Sequence, residues 1–168
     1  MKNPRVAVVM GSDSDWTVME KCADQLRAFG IEPHVEVMSA HRGPERVAQF
    51  ARDAESQGFE VVIAAAGMSA ALPGTIAGQT VLPVIGVPLE GGAMGGLDAL
   101  LSVVQMPPGV PVAGVALGAA GARNAALLAV QILGARDAAL RDAFRRFKTD
   151  QADGVVKRNA QLQAKLRS

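Results

Sequence analysis

Tyrosine is absent from this chain, and tryptophan and cysteine each occur once, as Trp16 and Cys22. Aromatic residues make up 4% of the 168 positions, too few for the ring platform on which single-stranded nucleic acid stacks. A lone cysteine excludes an internal disulfide. On the apolar face of a predicted helix, Cys22 reads as a core thiol rather than a nucleophile. The only histidines are His34 and His41. Without a Cys, Asp or Glu cluster at ligand spacing, no metal site is expected. No apolar run reaches about 20 residues free of glycine and proline, so no membrane span is expected. The N-terminus carries no leader pattern and enters a strand at once, so the expected setting is the cytoplasm.

What is present in excess is small. Alanine (30) and glycine (18) fill more than a quarter of the positions, which suggests a fold whose backbones approach closely. Hydrophobic residues reach 49%, enough for a core and incompatible with a disordered chain. The length suits one compact domain on a prior of about 150 residues each. The net charge of +1 is unevenly spread. Residues 1–134 hold 8 basic and 12 acidic side chains, whereas residues 135–168 hold 9 and 4. With no base-reading motif beside it, the basic end reads as a solvated helical surface, and no nucleic-acid partner is expected.

Short apolar runs alternate with amphipathic ones. Arg5–Met10, His34–Met38, Val61–Ala66, Pro83–Val87 and Pro111–Leu117 read as strands. Val61–Ala66 is apolar throughout, as a strand covered on both faces must be. Met19, Cys22, Ala23, Leu26 and Phe29 recur at helical spacing, and Gly30 ends that helix. Gly43-Pro44 opens a second helix, which Gly58 closes. Further helices are predicted near Thr75–Gln79, over Leu97–Val104 and over Ala122–Leu133 with Gly134 as its stop, then over Arg136–Gln151 and Val155–Leu166. Five strand–helix units predict an α/β domain with a parallel five-stranded sheet, spanning residues 1–134, and a helical extension over 135–168.

Ligands of open parallel sheets bind at the carboxyl ends of the strands, which selects four loops. Gly11-Ser12-Asp13-Ser14-Asp15 offers hydroxyls ahead of a helix N-terminus, a natural anion site, although it matches neither common nucleotide fingerprint. Asp15 suits sugar hydroxyls and Ser12 a phosphate; the competing reading is a plain helix cap. In Ser39-Ala40-His41-Arg42, Arg42 can hold a phosphate or carboxylate bidentately, and His41 can move a proton near neutrality. His34, inside a strand next to Pro33, reads as a surface or structural residue. The third loop, Gly67–Gly74, offers backbone amides and small residues against which a flat ligand can lie; Gly67, Ser69 and Leu72 are its binding candidates. Glu90–Gly96 holds Glu90 among glycines and reads either as a mobile flap or as an ordinary flexible connection.

Several of these runs resemble one family. Val9-Met10-Gly11-Ser12-Asp13-Ser14-Asp15-Trp16 and Ser39-Ala40-His41-Arg42-Gly43-Pro44 look like N5-carboxyaminoimidazole ribonucleotide mutases of purine biosynthesis. Pro83–Pro88, Ser102–Pro107 and Asn124–Leu128 extend the match in order over roughly residues 4–134. The resemblance implies a three-layer flavodoxin-like fold. It also implies an enzyme that moves a carboxyl group from the exocyclic nitrogen of an aminoimidazole ribonucleotide to ring carbon C4, without metal, ATP or organic cofactor. By motif, His41 matches the proton shuttle, Ser12 and Arg42 the phosphate-binding positions and Asp15 the ribose-binding one, with Ser39 beside them. A homo-octamer about a fourfold axis is implied, its C-terminal helices reaching onto neighbours. The sparse apolar stripe Val155, Val156, Leu162 and Leu166 suits that role; the alternative is a helix folded back on its own subunit.

The chain departs from the pattern in the third loop. Where many members read Gly-Gly-Ala-Ala-His-Leu-Pro-Gly, this chain has Gly67-Met68-Ser69-Ala70-Ala71-Leu72-Pro73-Gly74, so Met68 replaces a glycine and Ala71 a histidine. Gly43 stands where threonine is usual, a change expected to touch only the helix cap. Two other classes stay open: a carboxylase acting directly on aminoimidazole ribonucleotide and carbon dioxide, and a non-enzymatic flavodoxin-like module binding a mononucleotide. For the latter, only Trp16 is near enough in sequence to supply a ring for a flavin.

Overall fold

Strand β1 (Val6–Met10) is buried along its whole length, and its neighbours in the sheet explain why. It pairs in parallel with β2 (His34–Val37) on one side and β3 (Val61–Gly67) on the other. β3 pairs with β4 (Val84–Leu89), and β4 with β5 (Ala113–Gly114), again in parallel. The order is β2-β1-β3-β4-β5, the doubly wound flavodoxin-like arrangement, whose strand order reverses between β1 and β3. The computed structural model describes residues 5–167.

The helices are α1 (Trp16–Arg27), α2 (Pro44–Asp53), α3 (Ala71–Ala77), α4 (Leu97–Val104), α5 (Gly118–Gly134) and α6 (Ala138–Leu166). Alternation along the strands divides the core. Ala7 and Val9 of β1, Val62, Ala64 and Ala66 of β3 and Val84 of β4 pack with Val47 and Phe50 of α2, Leu72 and Ile76 of α3 and Val103 of α4. Val8, Ile63 and Ile85, of opposite parity, are fully buried too. Met19, Cys22 and Leu26 of α1 and Ala122, Ala125 and Ala126 of α5 are likewise shut from solvent. Burial pushes the Cys22 thiol up to about 12, so it is a neutral core group, as its position in the sequence predicts. Each large aliphatic side chain buried this way contributes about 1.5–3 kcal/mol.

The small residues are partly a packing requirement. A Cβ on Gly86 would lie 2.6 Å from Val103 Cγ1 and 2.8 Å from Val112 Cγ1, so α4 and the β5 approach close directly onto the β4 backbone. A Cβ on Gly121 would sit 1.6 Å from the Ala116 carbonyl oxygen, so the turn into α5 closes only around a glycine.

The largest differences from the predicted elements are these. β5 spans Ala113–Gly114 rather than Pro111–Leu117. It is an edge strand preceded by a proline that has no N–H to give, and beyond it one further bond, Val115 N–H to Gly86 O at 3.2 Å, continues the ladder. α3 starts at Ala71, not Thr75, because Pro73 is tolerated in a first helical turn. α5 starts at Gly118, four residues ahead of Ala122. The tail is one helix of 29 residues instead of two. Gly154 lies inside it, a cost of about 1 kcal/mol that the strong helix formers on either side outweigh.

The chain forms two compact units with their boundary between Ala129 and Val130, inside α5. In the second unit, the Asp137 carboxylate caps α6 by accepting from Leu140 N–H at 3.2 Å, and Arg141 Nη1 donates to Gly134 O at 2.7 Å. Val155, Val156, Leu162 and Leu166 are all exposed, Val156 at 68%. Among the described residues, no helix is long and apolar enough to cross a membrane.

Candidate active site

At the carboxyl ends of β1, β2 and β3 lies a cleft of about 610 Å³. All eight residues expected at the site line it: Ser12, Asp15, Ser39, His41, Arg42, Gly67, Ser69 and Leu72. It spans the point where the strand order reverses, the position that a doubly wound sheet leaves open for a ligand.

The first loop is braced from within. Gly11 N–H donates to Ala65 O at 3.1 Å, which ties the end of β1 to β3. Ser12 caps the short 3₁₀ turn Asp13–Asp15. Its Oγ accepts from Ser14 N–H at 3.3 Å and from Ser14 Oγ–H at 2.8 Å, while its own N–H donates to Asp15 Oδ2 at 3.0 Å. This is a reciprocal capping box. The cap reading and the binding reading therefore describe the same residues, since the cap is what holds Ser12 and Asp15 at the cleft wall. Burial raises the Asp15 pKa above the ordinary carboxylate value; the Ser12 and Gly11 amides oppose that shift and the nearby Asp13 carboxylate adds to it. A Cβ on Gly11 would meet nothing closer than 3.8 Å, so protein packing does not demand glycine there.

The second loop leans on the first. Arg42 donates to Ser39 Oγ from its backbone N–H at 3.2 Å and from Nε at 3.3 Å, and from Nη2 to Gly11 O at 3.2 Å. The guanidinium thus spans the β1 and β2 loops, leaving donors for an anion. His41 is exposed in the adjoining turn. Gly43 supplies no side-chain cap to α2; its N–H donates to Ser39 O at 2.9 Å. His34 lies outside the cleft, bonded to Glu36 Oε2 at 3.0 Å and packed on the Phe59 ring at 5.4 Å between centroids. Against the burial that would raise it, Glu36 is held below the usual carboxylate range by hydrogen bonds from His34 and Arg46.

The third loop is built differently. Ala70 N–H returns to Gly67 O at 3.0 Å in a tight turn. Within it Met68 adopts φ 54°, the one non-glycine residue in the left-handed region among the described residues, a conformation that costs about 1–2 kcal/mol. Leu72 is buried at the cleft floor, whereas Met68 and Ser69 are exposed. The cleft also includes residues beyond those expected of the site: Met68, Ser14, Glu90, Gly91 and Gly92. Glu90 and the glycines follow a predicted strand end, a signal present in the sequence. The left-handed turn at Met68 has no such signal.

A converging hydroxyl, guanidinium, carboxylate and imidazole can hold a phosphorylated sugar and move one proton beside it. A protein from Saccharolobus solfataricus named N5-carboxyaminoimidazole ribonucleotide mutase is 52% identical over 153 residues, covering 91% of this chain and 96% of that protein. A Mycobacterium tuberculosis protein of the same name is 53% identical over 162 residues, covering 96% and 92%. The crystal structure of Treponema denticola PurE superposes with a TM-score of 0.85 at 31% identity, covering 94% of this chain and 97% of that one. The AIR carboxylase family model matches residues 5–154, and the chain belongs to the AIR carboxylase family.

Proposed function

We propose that the chain is an enzyme of purine biosynthesis that converts N5-carboxyaminoimidazole ribonucleotide to 4-carboxy-5-aminoimidazole ribonucleotide. The observation that carries this reading is the gathering of Ser12, Asp15, Arg42 and His41 in one cleft, in a chain about half identical to proteins named for that mutase reaction. In this reading Arg42 and Ser12 hold the phosphate, Asp15 the ribose, and Ser39 supports Arg42. Gly67, Ser69 and Leu72 lie along the ring.

The chemistry needs one proton carrier. The bond between the exocyclic nitrogen and the carboxyl carbon breaks, carbon dioxide leaves, and the electron pair stays on nitrogen. Protonated His41 gives that nitrogen its proton. Ring carbon C4 then attacks carbon dioxide, and the carbon–carbon bond leaves C4 with a hydrogen it must lose to restore aromaticity. Neutral His41 takes it and returns to its starting state. The rest of the work is enclosure and positioning, and no metal, ATP or organic cofactor enters the scheme.

We also place the enzyme in the cytoplasm as a homo-octamer, with residues 1–134 as the catalytic domain and residues 135–168 as an extension packed on the same or a neighbouring subunit. The exposed apolar side chains of α6 support such packing. The deciding assay supplies the carboxylated nucleotide in one arm and aminoimidazole ribonucleotide with bicarbonate in the other. Product from the first arm at far lower substrate cost is expected; product from the second alone makes the chain a direct carboxylase.

A further inference from the structure

The flap between β4 and α4 is closely packed at its base and has open space around its tip. At the base, a Cβ on Gly96 would lie 2.7 Å from Leu117 Cδ1 and 3.2 Å from Glu90 Cα, so the two ends of the flap meet each other and Leu117. At the tip, the positions that side chains on Gly91 and Gly95 would take face nothing within 4 Å. The position at Gly92 faces Met68, whose Cγ is 3.4 Å away.

Met68 stands beside the flap, because Gly67 of β3 pairs with Leu89 of β4 and the two chains leave the sheet side by side. It follows β3, is 61% exposed, and lines the cleft together with Gly91 and Gly92. Its backbone is left-handed at φ 54°, a conformation in which a residue with a side chain is strained. A long apolar side chain therefore stands on a strained turn, open to solvent on most of its surface, against a glycine of the flap. Core packing does not explain an exposed methionine on that turn; its place beside the flap does.

We propose that Met68 is the positioning residue that seats the 90–96 flap over the cleft, and that its side chain sets how well a small apolar molecule released inside is retained. What is retained, carbon dioxide, rests on the mutase reading; the contact between Met68 and the flap does not. Met68 moves no proton and forms no bond with substrate in this role.

Two measurements test it. The first places a spin label on the flap tip through Met94→Cys, since Met94 is 57% exposed and the buried Cys22 does not compete for the reagent. In Met68→Gly, which also relieves the turn, the label is expected to tumble at least about twofold faster, as a flap freed of its contact must; Met68→Leu is expected to keep the restrained spectrum. The second uses protein without the label. It follows a ¹³C-carboxyl substrate turning over in unlabelled bicarbonate. Loss of label from product is expected to rise about fivefold in Met68→Gly with the nucleotide KM nearly unchanged, because enclosure is lost and binding is not. Equal label mobility with and without the Met68 side chain overturns the proposal, whether or not the chain turns the nucleotide over. Faster tumbling with unchanged label retention overturns the retention role. A wild-type chain inert toward the nucleotide sinks the mutase reading instead, and the mobility comparison still decides the contact.

Discussion

The two halves of the cleft are held in place by opposite means. On one side, the Gly11–Asp15 and Ser39–Arg42 loops bond to themselves and to each other. Ser12 caps its turn, Asp15 closes the box, and Arg42 reaches Ser39 Oγ and Gly11 O. On the other side, the Gly67–Leu72 loop and the 90–96 flap show small residues and left-handed backbone, closed by backbone turn bonds such as Ala70 N–H to Gly67 O at 3.0 Å and Leu97 N–H to Met94 O at 3.1 Å. Groups that must meet fixed charge gain from being preorganised. Groups that must open and close gain from having few bonds to break.

The largest expected effect falls on the polar half. His41→Asn is expected to lower kcat by about a thousandfold, within the usual range for loss of a general acid–base, while calorimetry still detects nucleotide binding. Near-normal turnover removes His41 from the proton path. Arg42→Ala is expected to raise the nucleotide KM about tenfold to a hundredfold, the value of a hydrogen bond to a charged group, with kcat little changed. An unchanged KM removes Arg42 from the phosphate site.

A matched pair of serines compares the halves directly. Ser12→Ala is expected to cost about 1 kcal/mol of stability, because it removes a helix cap. Ser69→Ala, an exposed change on the other wall, is expected to leave the thermal midpoint within error. Equal losses in a thermal melt break the contrast.

The smallest effect concerns Asp15, whose pKa burial raises. A carboxyl raised on folding favours the folded state while protonated. That contribution is fully present below the unfolded pKa and is lost as the pH rises through the folded one. Asp15→Asn keeps an acceptor for Ser12 N–H and carries no charge. The variant is therefore expected to melt above the wild type at neutral pH, and the gap to close under acid. A gap that widens on acidification shows that Asp15 acts on stability with the opposite sign.

Much of this site is legible in the sequence because it lies at strand ends, and strands buried on both faces announce themselves. Val6–Met10 and Val61–Ala66 leave little choice about their state, and the loops after them must carry the ligand if the sheet is parallel. Misreadings occur where one residue is taken as punctuation. Gly154 looks like a break and is absorbed into α6. Thr75 looks like a helix start, although Pro73 already sits in the first turn of α3. Pro111–Leu117 looks like a full strand, yet at the sheet edge only Ala113–Gly114 completes the ladder. A local signal cannot report how much neighbouring backbone is there to bond to.

The absence of large rings and the abundance of alanine and glycine are properties of the sequence alone. So are the five strand–helix units, the residues offered at each strand end and the lone cysteine kept from disulfide chemistry, because each follows from composition or from a local period. Only the tertiary structure separates the glycines. Gly86 and Gly121 are demanded by atoms of neighbouring elements, Gly11 is not, and Gly92 stands beside Met68. It alone sets the left-handed turn at Met68 and the span of Arg42 from Ser39 to Gly11. These depend on distances between segments far apart in the chain, and such distances exist only once the sheet has brought its strand ends together.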